Sequence, residues 1–95
     1  DKSAMVISRV ESAARKSKLQ ILDMNSAGLT KVKGGVTIYR VNLSAEGQLK
    51  SFLDFISEIE GAGILLQVEK ITLSLKDETT GLLKIDAVIL GIAFA

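Results

Sequence analysis

Apolar and polar positions along this chain follow two different periods, and the changes of period mark its elements. From Ser3 to about Lys18, Val6, Val10, Ala13 and Ala14 recur at the spacing of a helix face, with Arg9, Arg15, Lys16 and Lys18 around them. The spacing predicts a first helix, with Ser3 placed to cap its start and cations gathered in the last turn, where the helix dipole favours them. Leu19 to Met24 reads as a short strand that ends in the turn formers Asn25-Ser26-Ala27-Gly28, and Lys31, Lys33, Gly34 and Gly35 read as loop. Val36 to Leu43 resumes a two-residue period, with Thr37, Tyr39, Val41 and Leu43 on one face of a second strand.

Ser44 is a natural N-cap for a second helix, in which Leu49, Phe52, Leu53, Ile56 and Ile59 share one stripe and Phe55 falls beside it. Lys50, Asp54 and Glu58 follow at successive i,i+4 positions on the opposite side, and Gly61-Ala62-Gly63 supplies a stop. Leu65 to Lys76 is strand-like, with Ile71, Leu73 and Leu75 against Thr72, Ser74 and Lys76. Leu66 and Val68 are out of phase with that set, so a bulge near Glu69 and Lys70 is needed to turn both apolar groups inward. Asp77 to Gly81 forms a hairpin connection into a long last strand, Leu82 to Phe94. Leu83, Ile85, Ala87 and Ile89 line one of its faces; the other begins with Lys84 and Asp86 and then turns apolar at Val88, Leu90, Ile92 and Phe94.

The order helix, strand, strand, helix, strand, strand is a doubled αββ unit. It implies an α+β fold, a permuted ferredoxin-like αββαββ, with a four-stranded antiparallel sheet and two helices on one face. The last strand then lies inside the sheet, between the second and third. With both helices on one side, Val88, Leu90, Ile92 and Phe94 line an open face, and an exposed apolar patch of that size marks an interface. These four are the candidate interface residues, and Tyr39, apolar in body and polar at its tip, belongs either to the same face or to the core. The competing expectation is that the N-terminal segment or the stretch from Ala27 to Gly35 folds over this face.

Composition narrows the chemistry. The 95 residues fit a single domain, 1–95, and contain no Cys, His, Trp or Pro. Thiolate or imidazole metal sites, disulfides, thiol nucleophiles and imidazole bases are thereby excluded, and no catalytic, cofactor or metal residues are assigned. Twelve basic against eleven acidic side chains, a net charge of +1, give no general field for nucleic acid. Gly34-Gly35 lacks the spacing of a phosphate loop, and Phe52 and Phe55 at helical spacing are core rather than a cofactor box. The longest apolar run, Ala87 to Ala95, is too short to span a bilayer, for which ~18 residues are needed. No signal peptide opens the chain. A start at Asp1 rather than Met suggests an excised piece whose membrane anchor or targeting segment lay upstream.

From Val41 to Phe94 the chain resembles the periplasmic domain shared by protein M of the type II secretion system and the type IV pilus assembly protein PilO. The resemblance is carried by the opening Val41-Asn42-Leu43-Ser44-Ala45-Glu46-Gly47 and the helix "LKSFLDFISEI" from Leu49 to Ile59. It continues through Leu65-Leu66-Gln67-Val68-Glu69-Lys70-Ile71-Thr72-Leu73-Ser74 and a final strand after a Gly. "ESAARKSKL", Glu11 to Leu19, is similar to the family's opening helix before its first short strand. The resemblance implies a non-catalytic scaffold domain, the periplasmic part of a bacterial inner-membrane protein anchored by one transmembrane helix. It implies homodimerisation, pairing with a partner of similar fold, protein L or PilN, and a place in the platform that couples a cytoplasmic ATPase to pseudopilus growth. Two other classes share the topology. An ACT-like small-molecule-binding regulatory domain needs Gly-rich ligand loops, for which Gly47 offers little, and an acylphosphatase-like enzyme needs an Arg in a phosphate-cradling loop, whereas Arg40 and Asn42 fall within a strand.

Overall fold

Val6, Val10, Ala13 and Ala14 are the buried residues of α1 (Ser3–Lys16), as their spacing requires, and Arg15 and Lys16 occupy its last turn. Lys2, not Ser3, holds the position before the helix, and no side chain caps it. The chain leaves α1 through Lys18, which takes a left-handed φ of 63°, so that the Leu19 amide donates to the Ala14 carbonyl at 3.0 Å. Leu19 is thereby driven into the core, 5% exposed. The structure, a computed structural model, describes residues 2–60 and 65–94.

Four strands follow the expected order: β1 (Gln20–Val32), β2 (Val36–Gly47), then, after α2 (Leu49–Glu60), β3 (Leu65–Asp77) and β4 (Leu82–Phe94). They form one antiparallel sheet in the order β1-β2-β4-β3, with β4 in the interior. This is the permuted ferredoxin-like α+β architecture.

Two boundaries differ from the sequence reading. Asn25 to Gly28 is not a turn, because β1 continues through it to Val32. The extra residues are absorbed as a register shift between Ser26 and Leu29, with Gly28 at φ 103°, so residue types that favour turns here make a bulge. The hairpin turn falls at Gly34 and Gly35, inside the stretch read as loop, and their φ values of 89° and 79° favour residues without a Cβ. Ser44 is not a cap; β2 runs on to Gly47 and Ser44 sits in the ladder opposite Asp23 and Asp86.

In α2 the buried residues are Phe52, Phe55 and Ile59, with Ile56 half-buried, while Leu49 and Leu53 are 53% and 57% exposed. The core stripe is thus rotated by about one residue from the expected one, and Phe55 is inside. Positions 52, 55, 56 and 59 satisfy the helical spacing equally well, so only the docking against the sheet decides between them. The expected stop at Gly61 to Gly63 lies outside the described residues.

The bulge in β3 falls between Val68 and Lys70, where the phase change requires it. Ile71, Leu73 and Leu75 lie opposite Ala87, Ile85 and Leu83 and so face the helices, yet they are 41%, 42% and 56% exposed. Element lengths explain this. Strands of 12 and 13 residues reach about 40 Å, but helices of 14 and 12 residues only about 20 Å. The helix layer crosses the sheet diagonally: it covers Ile21 and Met24 of β1 and Leu66 and Val68 of β3, and leaves Leu29 of β1 and Ile71 to Leu75 of β3 bare. Where the helices do lie, contact is close. A Cβ on Gly91 of β4 would stand 2.6 and 2.8 Å from the methyls of Val6, so glycine there admits α1.

Candidate functional site

Residues directly opposite in an antiparallel ladder share a face. Val88, Leu90, Ile92 and Phe94 therefore lie together on the side away from the helices, alongside Val36 and Ile38 of β2 and Leu65 of β3. This face is divided. Toward Phe94 it is apolar; toward Gly47 it presents Ser44, Glu46, Thr72, Ser74, Lys84 and Asp86. Val88, Leu90 and Ile92 are half-buried by their strand neighbours and Phe94 is 65% exposed. Neither expected cover spans it: α1 packs against the opposite face, with Lys2 and Met5 reaching the Phe94 end, and residues 27–32 continue β1 as an edge strand.

A polar strap crosses the patch. Arg40 of β2 is paired with Leu90, and its guanidinium reaches over β4 to Glu69 in the β3 bulge, Nη2 to Oε2 at 3.4 Å, while Nη1 donates to Thr30 Oγ1 at 3.2 Å. Below it, Asn42 Nδ2 donates to Asn25 Oδ1 at 3.4 Å. Arg40 and Asn42, the two residues weighed for phosphate chemistry, are thus spent on cross-strand contacts on a flat, exposed sheet. Such an exposed ion pair contributes about 0–1 kcal/mol, so it orders the surface more than it holds the fold.

Tyr39 separates from the other four. It is 6% exposed on the helix side, packed with the core, and its phenol oxygen accepts a hydrogen bond from the Lys2 amide at 3.2 Å. It fastens the start of α1 to β2 and leaves the candidate interface.

A second surface escaped sequence reasoning. Ile71, Leu73 and Leu75 stand exposed on the helix side of β3, and Leu49 and Leu53, on one helical stripe of α2 with Ile56, are exposed as well. An open groove of about 390 Å³ between α2 and β3 runs into this surface, lined by Ile56, Leu66, Val68 and Ile71 among others. The signal was present in the lengths: two helices of that size cannot cover strands of 12 and 13 residues. A hollow of about 280 Å³ lies at the other end, between Lys2, Met5 of α1, and Leu65, Ile92 and Phe94. Both hollows are lined mainly by apolar side chains. Among the described residues, no group of three acidic side chains is gathered to hold a metal, and no helix is long and apolar enough to cross a membrane.

No protein-family model matches the sequence, and no curated protein matches it. Solved structures do. The type 4 fimbrial biogenesis protein PilO of Pseudomonas aeruginosa is similar over 100% of this chain and 72% of its own, with a TM-score of 0.83 at 8% identity. The core region of PilO from the type IV pilus system of the same organism matches over 90% of this chain and 91% of its own, with a TM-score of 0.75 at 11% identity. The core domain of a protein from Akkermansia muciniphila matches over 96% of this chain but only 56% of its own, with a TM-score of 0.79 at 14% identity. At these identities the likeness is one of fold.

Proposed function

Taking that shared fold as the premise, we propose that this chain is a PilO-like periplasmic scaffold domain of a bacterial type IV pilus assembly platform. It works without catalysis, by homodimerisation and by pairing with a homologous inner-membrane partner of the protein L or PilN kind. The observation that carries the reading is the match in fold to PilO along 100% of the chain. The distribution of chemistry supports it: apolar surface stands exposed on two sides, whereas charged groups are spread in surface pairs such as Lys76–Glu46 on the sheet and Lys50–Asp54 along α2. A second reading, the ACT-like regulatory domain, has less support, since the hollows lack converging polar groups. The related secretion system remains the alternative machine for the same scaffold role.

In this reading the homologous partner sits on the apolar end of the open face, at Val88, Leu90, Ile92 and Phe94. Removing the rest of each half-buried aliphatic side chain from water contributes roughly 1 kcal/mol, before the cost of association. The test is made in the native host. The full-length gene is replaced by one carrying Leu90→Asp with Ile92→Asp, and surface pili are counted. Loss of pili with unchanged protein level is expected; full piliation by this variant, or by a strain lacking the gene, would refute the reading.

A further inference from the structure

We propose that the second copy of this chain docks edge to edge on β3, with residues 71–75 of the two copies paired antiparallel about a two-fold axis at Leu73. The proposal rests on the reading that the domain self-associates and assigns that contact to a surface.

Of the two sheet edges, β3 offers the longer uninterrupted run, six residues from Lys70 to Leu75 against four at most in β1. β1 is broken by register shifts at Ile21/Asp23 and Ser26/Leu29 and carries Asn25, Ser26 and Lys31, the usual means by which an edge is blunted. β3 is regular between its shifts at Val68/Lys70 and Leu75/Asp77, and the regular segment reads Ile71-Thr72-Leu73-Ser74-Leu75. That string is nearly a palindrome. A two-fold axis at Leu73 sets Ile71 against the second copy's Leu75, Leu73 against Leu73, and Thr72 against Ser74. Apolar residues meet apolar ones on the helix side, and hydroxyls meet hydroxyls on the open side, both favourable cross-strand pairs. A slip of one residue would set apolar against polar, so the pattern fixes the register.

The flanks limit the contact to the central five residues. In this register Lys70 of one copy stands against Lys76 of the other and Glu69 against Asp77, like charges that oppose pairing beyond residues 71–75; the repulsion is moderated because Glu69 is already paired with Arg40 and Lys76 with Glu46. On the helix side the incoming Ile71, Leu73 and Leu75 would enter the bare corner of the sheet, beside Leu49 and Leu53. Both of these are more than half exposed in the isolated chain. The two sheets would become one of eight strands. This leaves Val88, Leu90, Ile92 and Phe94 free for a different partner.

Because the chain has no cysteine, single thiols report the geometry without interference. Leu73→Cys, Ile71→Cys and Leu75→Cys are exposed changes, checked for folding by circular dichroism and then oxidised under mild conditions. Residues opposite each other across strands lie within disulfide reach, whereas two copies of residue 71 would stand about 13 Å apart. Leu73→Cys alone, and an equimolar mixture of Ile71→Cys with Leu75→Cys, are expected to form disulfide dimers at least tenfold faster than Ile71→Cys alone. Equal rates for all three single variants would overturn the proposal. So would a wild-type dimer, seen by sedimentation, that Leu73→Lys leaves intact; that result would spare self-association. A wild-type chain that stays monomeric would remove self-association itself, and this proposal with it.

Discussion

Phe55→Ala and Leu53→Ala form the sharpest pair of perturbations, because the hydrophobic stripe of α2 and its docking rank them in opposite orders. Phe55 is 0% exposed and is the largest fully buried side chain, whereas Leu53 is 57% exposed. Truncating a buried Phe costs about 3–5 kcal/mol, the transfer of its ring plus the cavity left behind. Total stability for a chain of 95 residues is of the order of 5–14 kcal/mol, so that loss is about a fifth of it or more. Leu53→Ala removes only the part of the side chain that is covered, roughly 0.5–1 kcal/mol. Urea denaturation followed by far-ultraviolet circular dichroism, at a concentration where the midpoint no longer depends on dilution, reads both. With a slope of about 1–3 kcal/mol per molar urea, Phe55→Ala should lower the midpoint by about 2 M and Leu53→Ala by about 0.5 M or less. Equal losses, or a larger one for Leu53→Ala, would refute the docking of α2 described above.

Two further changes test local geometry. Gly91→Ala forces a Cβ to within 2.8 Å of the Val6 methyls and should cost about 1–3 kcal/mol in thermal or urea unfolding, with much of the loss recovered by adding Val6→Ala. Lys18→Gly relieves a left-handed backbone at a residue with a Cβ, and should raise stability by about 1 kcal/mol in the same assay; a loss would show that the Lys18 side chain matters more than its φ of 63°.

Much of this fold was legible in the sequence because two periods, 3.6 and 2, are written plainly into it. The element order, the bulge before Ile71, the interior place of β4 and the apolar turn at Val88 all follow from residue spacing. What spacing could not give was the rotation of α2 and the full length of β1 and β2. Phe52, Phe55, Ile56 and Ile59 fit a helix face as well as Phe52, Leu53, Ile56 and Ile59 do, and only the sheet beneath chooses. Asn25 to Gly28 carries turn chemistry, but β2 offers β1 a long partner, and ladder pairing outweighs a local preference when a bulge can absorb the excess. Tyr39 was ambiguous because alternation assigns a side, and its amphipathic ring suits either; the Lys2 amide it holds is distant in sequence. The bare corner at Ile71, Leu73 and Leu75 was hidden because an inward-facing residue is buried only if something lies above it.

The central claim is that this domain acts by associating with protein, beginning with itself. Sedimentation of the wild-type chain from low micromolar to millimolar concentration tests it most directly. A reversible, concentration-dependent shift from about one to two chain masses is the predicted result. A single mass equal to one chain across the whole range would contradict it.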